Sequence, residues 1–199
     1  MRGSGGLKAR SGAFIGTSIT LGVRSGVTAA QALPNLVGVS RGLIPSINAG
    51  VGGETSTQIL ARFERDVLAF GPSMISLEGG HNDPGAGVST STYSANMTEM
   101  IRKAKITGAR VTIFVSILAQ DATLDAAIEP YRVIARNLAP TYGCDLYDTY
   151  ADMAALPGAT QNSYFLEAPG LGQHLSVPGL AWAAGRVGSG AYVNSFLSA

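Results

Sequence analysis

Val111-Thr112-Ile113-Phe114-Val115-Ser116-Ile117 is the clearest strand in the chain. The run is continuous and rich in β-branched residues, with no solvent face written into it. That is how an interior strand of a parallel sheet reads, since both of its faces are covered. Working outward, Thr92 to Thr107 reads as a helix before it, with Met97, Met100, Ile101 and Ala104 on the core side. Ala122 to Leu138 reads as a helix after it, with Pro130 as a bend or a break. Met74-Ile75-Ser76-Leu77 is a second buried strand. Thr55 to Phe70 is a helix with Ile59, Leu60, Phe63, Val67 and Phe70 at helical spacing. Ala13-Phe14-Ile15 is a short first strand, followed by a helix from about Thr20 to Leu33 that Pro34 ends. Leu43 to Ile47 leads towards the loop Asn48–Gly53, and Pro45 argues for a sheet edge or an irregular start. Asp145-Leu146-Tyr147 is the last strand, then a long loop over 154–173 leads to a terminal helix, Val177–Phe196. Strand and helix alternate about five times, which predicts an α/β fold: a central parallel sheet of about five strands with helices on both faces.

The chain has 199 residues, enough for one sizeable core, and a single domain over 11–199 is expected. Residues 1–10 read as a flexible arm or a cloning remnant. A net charge of +1 with scattered Lys and Arg argues against a nucleic-acid partner. No apolar run is long enough for a membrane span or a signal peptide, leaving a cytoplasmic protein or one secreted after processing. Cys144 is the only cysteine, which excludes an internal disulfide and argues against a zinc cluster; it reads as a small buried hydrophobe.

In such sheets, ligands bind beyond the carboxyl ends of the strands. Four polar groups fall there. Ser18 follows the first strand in Gly16-Thr17-Ser18 and is a candidate nucleophile, or else a helix cap. Gly53 sits in a glycine-rich loop whose N–H groups can face an oxyanion, or simply make a turn. Asn82, in Gly79-Gly80-His81-Asn82-Asp83, can offer its amide to the same oxyanion, or form an Asx turn. His174 is a candidate base, or a surface cap near the last helix; His81 rather shapes the Asn82 loop or lines a pocket. The Gly-x-Ser-x-Gly elbow of ordinary α/β-hydrolases is absent, because position 20 is Thr. A phosphate cradle is also absent, since Gly16-Thr17-Ser18 is too short for a Walker loop and has no lysine.

Together these segments resemble the SGNH hydrolases, the GDSL-like lipase/esterase superfamily. Ile15-Gly16-Thr17-Ser18 stands where the family more often has Gly-Asp-Ser. Asn48-Ala49-Gly50-Val51-Gly52-Gly53-Glu54-Thr55 resembles its glycine block and Gly80-His81-Asn82-Asp83 its asparagine block. His174-Leu175-Ser176-Val177-Pro178-Gly179 resembles its His-Leu-Thr-x-x-Gly. The resemblance implies a flavodoxin-like three-layer sandwich and a serine esterase with Ser18, His174, Gly53 and Asn82 in its site. It implies no cofactor and no metal. It also implies acyl transfer on a small ester, with O-acetyl groups on carbohydrate favoured by the polar loop Pro84–Tyr93 and a thioesterase or lysophospholipase type of hydrolase as the alternative. Tyr93, Tyr164, Phe165 and Trp182 are either a stacking surface for sugar or packing residues.

One departure stands out. The family's acid lies three residues before the histidine, where this chain has Leu171. Three arrangements remain open: a backbone carbonyl orients His174; another acid does, with Glu167 nearest and Asp148 or Asp152 behind it; or the domain is an inactive relative that binds carbohydrate.

Overall fold

The structure is a computed structural model that describes residues 10–24, 26–43 and 46–186. Five parallel strands form one sheet in the order β2-β1-β3-β4-β5. They are β1 (Gly12–Gly16), β2 (Ser46–Gly50), β3 (Met74–Glu78), β4 (Arg110–Phe114) and β5 (Asp145–Tyr147). All four pairings are parallel, so every strand ends on the same edge of the sheet.

Alternate residues of each strand feed the two faces. Ala13, Ile15, Ile75, Leu77, Val111 and Ile113 pack beneath α3 (Ser56–Asp66), α4 (Thr90–Ile106) and α5 (Ala122–Tyr142). Phe14, Met74, Phe114 and Tyr147 face the other way, towards α1 (Ser18–Leu21), α2 (Leu33–Ser40), α6 (Tyr150–Ala154) and α8 (Val177–Arg186). This is the expected three-layer sandwich. Ile59 and Phe63 of α3 are fully buried, and each such side chain contributes about 1.5–3 kcal/mol of transfer free energy. Met97 and Met100 are likewise core residues.

Several elements differ from their sequence reading. The expected first helix is broken: α1 has four residues, a 3-10 turn spans Ala29–Gln31, and Pro34 lies in the first turn of α2. Proline is tolerated there because the first N–H groups of a helix have no intrahelical partner. Asn48–Gly50 is not loop but the end of β2, a sheet edge as Pro45 suggested; Ile44 and Pro45 themselves lie outside the described residues. Phe70 ends a 3-10 turn after α3 and is 63% exposed.

β4 stops at Phe114, although the apolar run continues. Beyond Val115, whose N–H still reaches Tyr147 O, Ser116 and Ile117 leave the ladder; their carbonyls accept instead from buried Arg132. α5 runs unbroken through Pro130, which is exposed, so the carbonyl that loses its partner can turn to water. α6 lies just before the predicted long loop, 154–173, which itself holds α7 (Gly158–Ser163) and Phe165, bridged to Leu175 beyond the loop. α8 is described to Arg186, and the remainder of the expected terminal helix lies outside the described residues. The N-terminal arm, apart from Arg10, does too. Cys144 is half-buried rather than buried, against the rim of the larger core.

Candidate active site

The nucleophile turn grows directly from β1. Thr17 caps α1, its side-chain oxygen accepting from Ile19 N at 3.2 Å, so the cap is Thr17 and Ser18 is the first helical residue. The turn sits very close to the sheet. A Cβ at Gly50 would lie 2.2 Å from Leu21 N, and one at Gly16 would lie 2.3 Å from Thr20 Oγ1 and 2.4 Å from Glu78 Oε2. Gly16 and Gly50 are register partners at the ends of β1 and β2. Glycine at both positions lets α1 rest on the strand ends.

Glu78, at the end of β3, braces the turn from below. Its Oε2 accepts from Thr17 N (2.7 Å), Thr17 Oγ1 (2.8 Å) and Thr20 Oγ1 (3.0 Å). Burial pushes its carboxyl above the ordinary range, against the opposing pull of the Thr17 and Thr20 bonds.

The turn after β2 is tied to the same frame. Val51 N donates to Gly16 O at 3.0 Å. Arg62, buried in α3, donates to Glu54 Oε2 (2.7 Å), Asp66 Oδ2 (3.2 Å) and Gly16 O (3.3 Å). Gly53 is exposed with φ +79°, a left-handed turn that suits glycine. A Cβ at Gly52 would lie 3.8 Å from Ser18 Cβ, so this turn borders the serine.

The loop after β3 closes the third side. Asn82 Nδ2 donates to Glu54 O at 2.9 Å, which joins the asparagine and glycine loops. Asp83 is fully buried and accepts from Ser56 N (3.0 Å) and Ser56 Oγ (2.5 Å), fixing the loop to the N-terminus of α3. Burial raises its pKa, and the Ser56 bonds oppose that rise. His81 lies under the loop with Nδ1 2.9 Å from Ser116 Oγ. Burial first, then the charge of nearby His174, bring its pKa down to about 4, so it is neutral at ordinary pH.

Across from these, Ser18 Oγ lies 3.0 Å from His174 Nε2. His174 Nδ1 is hydrogen-bonded to Glu167 Oε1. Glu167 Oε2 accepts from the backbone N–H groups of Gln173 (3.0 Å) and His174 (3.1 Å). Burial alone would raise the Glu167 pKa, but these bonds outweigh it and hold the carboxyl below its usual range. An ionised Glu167 makes His174 Nδ1 the donor, which leaves Nε2 to accept from the serine hydroxyl.

Of the candidates for orienting His174, Glu167 is therefore the one in contact with it. Leu171 is 57% exposed. Asp148 accepts from Arg136 and Asp152 pairs with Arg186. Of the aromatic candidates, Tyr93 and Phe165 are buried packing residues, while Tyr164 and Trp182 are half-buried and lie against each other with centroids 5.5 Å apart. Among the described residues, no group of three or more His, Cys, Asp or Glu side chains is placed to hold a metal ion. No described helix is long and apolar enough to cross a membrane. Glu78 and Arg62 are not among the sequence candidates; Glu78 carries a signal, a charged residue that ends an apolar run beside Gly79-Gly80, whereas Arg62 stands in a charged helix segment and carries none.

The model of the GDSL-like Lipase/Acylhydrolase family matches residues 14–180, and the chain belongs to that family. Its members define this class of protein as serine-type esterase or lipase-like hydrolases. Similar solved structures include a lipase/acylhydrolase from Enterococcus faecalis, with 21% identity, 89% of this chain and 93% of that one covered, and a TM-score of 0.76. An acetylxylan esterase, Axe2, from Geobacillus stearothermophilus has 21% identity over 91% of this chain and 94% of its own, with a TM-score of 0.70. TesA has 21% identity over 89% and 96%, with a TM-score of 0.71. No curated protein matches the chain.

Proposed function

We propose that this hydrolase cleaves short-chain carboxylic esters through Ser18, His174 and Glu167, with Gly53 and Asn82 in the oxyanion hole. The observation that carries the reading is the continuous line from Ser18 Oγ to His174 Nε2 and from His174 Nδ1 to Glu167. A serine hydroxyl needs a base to be nucleophilic, and the base needs an acceptor to fix its tautomer.

His174 takes the Ser18 proton as Oγ attacks the ester carbonyl carbon. The tetrahedral oxyanion is met by the N–H groups of Ser18 and Gly53 and by the Asn82 amide, one of whose two hydrogens is already spent on Glu54 O. As the intermediate collapses, the C–O bond to the alcohol breaks and His174 returns the proton to the leaving oxygen. Water, deprotonated by the same imidazole, then attacks the acyl carbon; the bond to Ser18 Oγ breaks, His174 returns the proton to Oγ, and the acid leaves. Glu167 stays ionised throughout and stabilises the imidazolium.

A small acyl group is favoured because the sequence carries no large apolar insertion of the kind that makes a lipase lid, and the loop Pro84–Tyr93 is polar. O-acetyl groups on carbohydrate are the preferred class. The likeness to an acetylxylan esterase agrees with this choice, and the polar loop suits a hydroxyl-rich leaving group.

Initial rates on p-nitrophenyl acetate, butyrate and octanoate test the reading. Ser18→Ala and His174→Ala should each lower kcat by about 10⁵-fold or more. The wild type should prefer acetate. Activity that survives Ser18→Ala refutes the nucleophile; a preference for octanoate refutes the short acyl class.

A further inference from the structure

We propose that Gln120 is a positioning residue for the acid–base pair, holding the loop between Glu167 and His174 in the path that brings the imidazole to Ser18. The proposal rests on the assignment of Ser18, His174 and Glu167 above.

The loop is closed at its base by its own backbone: Leu166 N donates to His174 O at 2.9 Å, beside the Phe165–Leu175 bridge. Near the base it wraps around Glu167, which accepts from Gln173 and His174. At the tip, the only internal hydrogen bond among the described residues is Leu171 N to Ala168 O, 3.0 Å. Among the described residues, the hydrogen bonds that hold the tip from outside come from Gln120. Gln120 N donates to Gly172 O at 2.8 Å. Gln120 Oε1 accepts from Gly172 N (3.1 Å) and Gly170 N (3.3 Å). Its amide nitrogen donates the other way, to Asn162 Oδ1 (2.7 Å) and Gln161 Oε1 (3.2 Å) of α7.

The platform beneath Gln120 is rigid. Asp125 Oδ1 accepts from Ala119 N at 2.9 Å, and Asp121 caps α5 through Thr123 N and Leu124 N, both at 2.9 Å. Arg132 holds the carbonyls of Ser116 and Ile117 and pairs with Asp125 at 2.7 Å. The contact is also close: a Cβ at Gly172 would lie 2.5 Å from Gln120 Oε1 and 2.4 Å from Phe165 Cγ. A loop released at its tip can shift both Glu167 and His174, and misplacement by about 1 Å costs about 10²-fold in rate.

The test compares Gln120→Met, which fills the space without hydrogen bonds, with Gln120→Glu, which keeps the acceptor for the two glycine N–H groups. Three readouts are taken: kcat and KM on p-nitrophenyl acetate, the low-field proton resonance of His174 Nδ1–H, and thermal midpoint. In Gln120→Met, kcat should fall roughly tenfold to 10²-fold with KM within about twofold, and the resonance should weaken or broaden. Gln120→Glu should recover most of both. If Gln120→Met does not fold, Gln120→Asn takes its place, since its amide falls one methylene short of the loop; the same losses are expected. A folded Met or Asn variant with kcat within twofold of wild type and an unchanged resonance overturns the proposal. Ser18→Ala is assayed alongside: activity surviving there strikes the nucleophile assignment, whereas the His174 resonance reports on Gln120 independently of turnover.

Discussion

The serine side and the histidine side of the site are built by opposite means. Ser18, Gly53 and Asn82 leave the ends of three neighbouring strands, β1, β2 and β3. Their loops are short, tied into the sheet by Val51 N to Gly16 O, and cross-braced by Arg62, Glu78 and Asp83. His174 and Glu167 lie beyond the last strand, among short helices and one isolated bridge, and are held by side chains and a few loop N–H groups. On one side backbone ladders set position and side chains reinforce them; on the other, side chains and a few loop N–H groups set it without a ladder. Substitutions on the serine side should therefore register as lost stability or a lost oxyanion donor, those on the histidine side as lost orientation at nearly constant stability.

Outside Ser18, His174 and Glu167 themselves, Asn82→Ala offers the largest expected break in this picture. It removes an oxyanion donor and the link to Glu54 O. We expect kcat on p-nitrophenyl acetate to fall by about 10²–10³-fold. A fall confined to KM would take Asn82 out of the oxyanion hole.

Two glycines sharpen the contrast. At Gly50 an added Cβ meets the Leu21 backbone at 2.2 Å, with nothing able to yield cheaply. Gly50→Ala should destabilise by about 3 kcal/mol or more in urea unfolding, the upper end of overpacking costs. At Gly172 the obstacles are the side chains of Phe165 and Gln120, which can move. Gly172→Ala should cost less stability and more kcat. The reverse pattern would contradict the division between a backbone-built and a side-chain-built half.

The smallest expected effect is electrostatic. Burial lowers the His174 pKa, Glu167 raises it, and the Arg24 cation lowers it again. His174 must be neutral to accept the serine proton, so its pKa sets the acid limb of kcat/KM. Removing the cation in Arg24→Gln should raise that pKa and move the acid limb to higher pH. A limb that stays in place or moves lower would separate Arg24 from the site.

The same division explains what could be read from the sequence. β3 and β4 announce themselves because a buried parallel strand is a solid apolar run, and the glycine blocks because close approach to a strand end needs glycine; the edge strand β2 has no such run, and its end reads as loop. Pro34 misled because proline both ends and begins helices, and only the cap context separates the two. β4 read too long because Ser116 and Ile117 look like strand, while the partner that takes their carbonyls, Arg132, lies 16 and 15 residues away. Glu167 was one candidate among several, because a loop has no period. Its position seven residues before His174 fits only once the chain folds back through Leu166 N to His174 O. Gln120 carried no signal of its own.

The most direct test of the central claim, that Glu167 does the work expected of an acid at position 171, is the initial rate of Glu167→Gln on p-nitrophenyl acetate beside that of Leu171→Ala, each with its thermal midpoint. Glu167→Gln should stay folded and lose about 10²–10⁴-fold in kcat, while Leu171→Ala should remain within about twofold, as for an exposed side chain without polar contacts. A folded Glu167→Gln that keeps its rate would show that His174 is oriented by something other than Glu167.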